Sequence, residues 1–189
     1  SEMCIRDRFG KVTPGGKLTT TFPRSVGQLP LYYNHLNTGR PDPDSHSFNR
    51  YSSNYLDMSN EPLYPFGYGL SYTNFSYGNL QLSSDVLSRN GELTVSVTVT
   101  NDGDFDGYEI VQMYLHDIYA EISRPVKELK GFERIFLKKG ESREVKFVIT
   151  EDDLRFYNSG LQYVYEPGEF DVMVGANSRD VQTERFRAD

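Results

Sequence analysis

Three features of this 189-residue chain predict a mainly β protein, a sandwich of about seven strands standing behind an irregular N-terminal third. From Tyr72 to the C-terminus, apolar and polar residues alternate in short runs separated by Gly-containing turns. From Arg24 to Glu61 no period of 2 or 3.6 is sustained. Between the two lies a twelve-residue stretch, residues 62–73, that no regular element accommodates.

The strands follow from side-chain alternation. Leu93, Val95, Val97 and Val99 fall on one face of their run and hydroxyl residues on the other, the pattern of a half-buried antiparallel strand. Residues 108–118 are more uniformly apolar, as in a strand covered on both faces. Val145, Phe147 and Ile149 point inward from residues 144–150, and Phe170, Val172 and Val174 repeat the pattern. Residues 181–186 give a weaker final strand, and 75–82 and 126–136 complete the set. Asn90-Gly91, Asp102-Gly103, Lys139-Gly140, Ser159-Gly160 and Pro167-Gly168 supply turns. Strands at this spacing read as an immunoglobulin-like sandwich, and the missing Cys…Trp…Cys core favours its fibronectin type III variant. Thr150 and Asp153 form a capping box that predicts one helical turn.

Upstream, Pro14-Gly15-Gly16 signals a turn, and residues 17–22 read as a short strand ended by Pro23. Residues 24–61 mix turn formers with single aromatics (Tyr32, Tyr33, Phe48, Tyr51, Tyr55), and a structureless loop of that length is uncommon in a compact domain. They read as the tail of a larger body. The central stretch holds two prolines, two glycines and four aromatics, which excludes helix and strand. Its rings and leucines are too apolar for a solvated linker, so Tyr64, Phe66, Tyr68, Leu70 and Tyr72 are expected to pack across a domain boundary.

Bulk properties exclude several classes. An apolar content of 37% suffices for a core, so wholesale disorder is excluded. A net charge of -7 argues against nucleic acid or an anionic membrane as partner. No run approaches the roughly 18 apolar residues of a membrane span. The single Cys4 permits neither a disulfide framework nor a Cys-based zinc site. Residues 1–8 have neither the apolar core nor the cleavage site of an export signal and read as an assembly scar outside the fold. The compartment stays open.

Each residue type with the chemistry of a site also has a simpler role in this chain. Asp102-Gly103-Asp104-Phe105-Asp106-Gly107 imitates half a calcium loop, but Met113 stands where the bidentate Glu belongs, so a hairpin loop is expected instead. Catalysis by a nucleophile and acid/base carboxylate pair needs two such groups about 5 Å apart. Asp42, Asp44, Asp57 and Glu61 sit among turn formers or before proline, where carboxylates serve local needs. His35, His46 and His116 are scattered and make no metal site, and no nucleophile elbow or phosphate loop is present. No metal or cofactor is expected.

Phe66-Gly67-Tyr68-Gly69-Leu70-Ser71-Tyr72-Thr73 resembles the sequence that, in glycoside hydrolase family 3 β-glucosidases, joins the second catalytic domain to a fibronectin type III-like domain. Thr21-Phe22-Pro23-Arg24-Ser25-Val26-Gly27-Gln28, Tyr32-Tyr33-Asn34 and Thr38-Gly39-Arg40-Pro41 are similar to the same family in the same order. So are Arg124-Pro125-Val126-Lys127-Glu128-Leu129-Lys130-Gly131-Phe132 and Glu166-Pro167-Gly168-Glu169-Phe170. The resemblance implies that residues 9–61 are the C-terminal fragment of the family's α/β sandwich domain, 62–73 a packed linker and 74–189 the fibronectin type III-like domain. It also implies a parent that hydrolyses terminal β-glycosidic bonds with retention, acting on oligosaccharides or aryl β-glucosides in the periplasm or outside the cell. Both catalytic carboxylates of that family lie upstream of the matched region, so the fragment alone is expected to be inactive and to brace the absent catalytic domains. Asn34, His35, Arg40, Arg50 and Tyr51 are candidates for the edge of the substrate pocket, since rings stack on sugars and Arg or Asn donors fix hydroxyls. The simpler role for these five is to hold the loop against the rest of the α/β domain. A free-standing carbohydrate-binding or adhesive module is the alternative for the whole chain.

Overall fold

The computed structural model describes residues 2–41 and 50–189, so Asp42, Asp44, His46 and Phe48 lie outside it. After a short helix α1 (Glu2–Arg8) the described residues run irregularly, with one 3-10 turn among them at Val26–Gln28, until the strand at Phe75. Eleven strands follow: β1 (Phe75–Tyr77), β2 (Gln81–Leu82), β3 (Val86–Leu87), β4 (Glu92–Asn101), β5 (Gly107–Asp117), β6 (Glu128–Leu137), β7 (Ser142–Thr150), β8 (Phe156–Tyr157), β9 (Tyr163–Val164), β10 (Gly168–Gly175) and β11 (Val181–Ala188). One turn of helix, α2 (Glu151–Leu154), follows β7.

They form two facing sheets. In one, β4 pairs with β7 along one edge and with β1 and β2 along the other. The other has the order β3-β11-β10-β5-β6, antiparallel except for the short β3–β11 pair. β8 and β9 make a separate ribbon. The core lies between the sheets, where Leu93, Val95, Val97 and Val99 of β4 meet Val111, Met113 and Leu115 of β5, with Ile135, Val145, Ile149, Val172, Val174 and Phe186 around them. Alternation places these side chains inward, and their burial is the main stabilising force of the sandwich.

All seven expected strands are present, with three differences. Residues 75–82 divide into β1 and β2, and between them Gly78 still donates its N–H to Thr98 O at 2.7 Å. Residues 17–22 form no strand: Phe22 makes an isolated bridge to Tyr64, and hydrogen bonds from Leu18 to Tyr68 and from Gly67 to Leu18 continue it. Residues 102–107 are not a hairpin loop, because β4 and β5 belong to opposite sheets and the loop crosses between them. Asn101 organises this crossover, its Nδ2 donating to Phe105 O at 2.8 Å and Leu137 O at 3.1 Å, while its Oδ1 accepts from Thr73 Oγ1 at 2.6 Å. Lys139 engages the two outer aspartates, its Nζ donating to Asp104 at 2.7 Å and its main-chain N–H to Asp106 at 2.8 Å. At α2, Thr150 N donates to Asp153 Oδ2 at 2.8 Å, closing the capping box. Residues 1–8, read from sequence as lying outside the fold, include α1, and Tyr72 donates its hydroxyl to Asp7 O at 2.7 Å.

Candidate functional site

The irregular segment is seated on the outer face of the five-stranded sheet. On β5, residues 111, 113 and 115 enter the core, so Gln112 and Tyr114 emerge on the opposite face, yet both are buried. The stretch around Gly67 covers them. Gly67 has φ of +79°, a conformation that glycine adopts without strain, and an ideal Cβ there would lie 2.7 Å from Gln112 Cδ. Gln112 Nε2 donates to Ala176 O at 2.7 Å and Gly67 O at 3.2 Å, while its Oε1 accepts from Tyr114 Oη at 2.6 Å. Tyr33 stacks on Phe66 with centroids 4.2 Å apart and meets Tyr114 edge-on at 5.9 Å. Burial pushes the Tyr114 phenol above its ordinary value, and Tyr33 adds to the shift.

Further fastenings run along the seam. Ser178 donates its N–H to Phe66 O at 2.9 Å, and Lys127 Nζ donates to Ser178 O at 2.7 Å. Burial pulls the Lys127 ammonium below its ordinary value, with Glu61 opposing. Leu36 bridges Pro125, and Val126 N–H donates to His35 O at 3.0 Å. At the other end, Lys17 Nζ meets the buried Glu109 carboxylate at 2.9 Å, which also accepts from Tyr77 Oη at 2.9 Å. Burial, then the charge of Glu109, pushes the Tyr77 phenol up. Gln28, also buried, closes the irregular segment on itself: its Oε1 accepts from Arg24 N at 2.5 Å and its Nε2 donates to Ser59 O at 3.0 Å.

Between residues 30–41, residues 53–65 and the β6 flank lies an open cleft of about 850 Å³, with Tyr32, His35, Asn54, Asn60, Glu61, Lys127 and Arg179 in its walls. Aromatic faces, amides and cations in one concavity suit a polar, ring-bearing ligand. Of the five candidates for a pocket edge, His35 lines this cleft, its Nδ1 lying 3.0 Å from Leu36 O. Arg50 and Tyr51 come together outside it, the guanidinium 6.0 Å from the ring centroid. Asn34 and Arg40 are exposed, Arg40 accepting from Ser53 N–H at 2.9 Å through its carbonyl. In the central stretch, Phe66 and Tyr68 are half-buried, and Tyr64 stacks on Tyr68 at 5.0 Å. Tyr64, Leu70 and Tyr72 stay exposed in this chain.

Sequence reasoning missed Gln28, Gln112 and the Lys17–Glu109 pair. Gln112 and Glu109 carried a signal, since both lie in the run expected to be covered on both faces; Gln28 and Lys17 carried none.

The fold and this seam define a class: a fibronectin type III-like sandwich with a docked upstream tail. Residues 109–178 match the fibronectin type III-like domain, and residues 8–72 match the glycosyl hydrolase family 3 C-terminal domain. The chain belongs to glycoside hydrolase family 3 and carries the C-terminal portions of that family's architecture. It is 52% identical over 179 residues to a periplasmic β-glucosidase of Salmonella typhimurium, covering 94% of this chain and 23% of that protein. A putative β-xylosidase of Formosa agariphila is 42% identical over 98% of this chain and 23% of its own length. The crystal structure of a β-glucosidase from Listeria innocua in complex with isofagomine superposes with a TM-score of 0.92 at 45% identity, covering 98% of this chain and 26% of that one. The chain thus spans about a quarter of the length of these relatives.

Proposed function

We propose that this chain is the C-terminal portion of a retaining β-glycosidase that releases terminal glucose or xylose, and that its own task is to brace the catalytic domains. In this reading residues 9–61 complete the α/β sandwich domain, 62–73 form the packed linker and 74–189 the fibronectin type III-like brace. The observation that carries it is the seam: buried Gln112 and Tyr114 lie on the outer face of a sheet that would otherwise meet water, and residues 33 and 66–67 cover them. The missing upstream domains are its partners, and the periplasm or the exterior its compartment, by analogy with the Salmonella relative. Deleting residues 74–189 from the intact polypeptide should lower its Tm; an unchanged Tm and kcat would refute the brace. In the same proposal Asn34, His35, Arg40, Arg50 and Tyr51 form an edge of the parent's substrate pocket, the simpler role being to hold the loop against the rest of the α/β domain. Arg50→Ala in the intact enzyme should raise KM without lowering Tm, whereas a lowered Tm alone assigns them to packing.

A second reading, a carbohydrate-binding module, draws on the exposed Tyr157 and Tyr163 of the β8–β9 ribbon. Their rings are 5.0 Å apart but inclined by 44°, a poorer platform for a sugar than one flat face. A glycan array on the purified chain separates the two readings, since the brace predicts no binding.

A further inference from the structure

Among the described residues the cover over the five-stranded sheet reaches the start of β6, where Leu129 N–H donates to Tyr33 Oη at 3.4 Å, and stops along residues 132–136. Gln112 of β5 and Phe132 of β6 are cross-strand partners, as are Ile110 with Arg134 and Tyr108 with Phe136. Gln112 is 3% exposed beneath Gly67, while Phe132 beside it is 68% exposed. Gly15 presses on Tyr108, its ideal Cβ lying 2.8 Å from Tyr108 Cβ, while Phe136 across from it is 38% exposed. Arg134 lays its guanidinium 3.6 Å from the Tyr108 ring centroid, bridging the covered and uncovered strands. Two phenylalanines on the outward face of an edge strand are contrary to the usual polar outer face and expose a pairing edge. We propose that this face of β6, Phe132, Arg134 and Phe136, is a docking surface for the part of the same polypeptide upstream of residue 9. The inference rests on reading the chain as the rear of a longer hydrolase. The occupant follows from continuity: residues 9–73 already cover the adjoining strand, and relatives of this chain are about four times its length.

The test uses the intact polypeptide. With p-benzoylphenylalanine in place of Phe132, irradiation should give intramolecular links to peptides upstream of residue 9; links between two copies, or none beyond residues 9–189, overturn the proposal. In the unsubstituted protein, hydroxyl-radical labelling of Phe132 should be slower than in the urea-unfolded protein by roughly fivefold or more, as a buried interface core requires. A smaller difference overturns it. Hydrolysis of an aryl β-glucoside by the same preparation is read separately: activity with Phe132 exposed sinks the docking face alone, whereas absence of activity sinks the parent reading.

Discussion

Gly67→Ala tests the seam where it is tightest. Alanine at φ of +79° carries left-handed strain of roughly 1–2 kcal/mol. Its Cβ would also fall 2.7 Å from Gln112 Cδ and Nε2, so the glutamine must move. Moving it disturbs hydrogen bonds to Ala176 O, Gly67 O and Tyr114 Oη in a site that is 3% exposed. Net hydrogen bonds contribute roughly 0.5–1.5 kcal/mol each and a stranded buried group costs about 1–3 kcal/mol. The total is about 3–5 kcal/mol, which for a chain of this size lowers Tm by about 6–20 °C. Gly140 provides the control, since its φ is +76° but nothing lies within 4 Å of its ideal Cβ. Gly140→Ala therefore carries the strain alone, about 1–2 kcal/mol. Urea and thermal unfolding followed by circular dichroism measure both variants, and equal losses would refute the close-approach reasoning. In the Gly67→Ala, Gln112→Ala double variant the two losses should sum to less than their separate values, because the second substitution removes the obstacle.

Lys17→Met strands the buried Glu109 carboxylate and should lower stability by about 3–5 kcal/mol, with much of the loss recovered by adding Glu109→Gln. Burial pushes the Asp117 carboxyl above its ordinary value of 3.8, against the pull of Arg124. The native state then binds that proton more tightly than the unfolded chain, so the contribution to stability is present below pH 3.8 and lost as pH rises through the folded value. Asp117→Asn removes that loss, so as pH rises above 3.8 stability should climb more steeply in the variant, measured by urea midpoints. Parallel profiles would contradict the assignment.

The strands were legible because alternation is a local property: Leu93, Val95, Val97 and Val99 declare their buried face within eight residues of sequence. The capping box at Thr150 was readable for the same reason. What could not be read depends on distant partners. Gln28 reaches Ser59 and Gln112 reaches Ala176, separations of 31 and 64 residues, and the sequence near each glutamine does not name its partner. Asp102-Gly103 offers the same turn chemistry to a hairpin and to a crossover, and only the pairing of β5 with β10 and β6 decides between them. The central stretch announced that it packs, and Phe66 and Tyr68 are half-buried. Tyr64, Leu70 and Tyr72 are left facing outward, as surface awaiting a neighbour would be.

Turnover is the most direct measurement of whether this chain is a brace rather than a machine. Assayed on 4-nitrophenyl β-glucoside and β-xyloside, the intact polypeptide should hydrolyse at least one with retention of anomeric configuration, and residues 1–189 alone should release no product above the blank. Product released by these 189 residues unaided would place the chemistry within them and contradict the account.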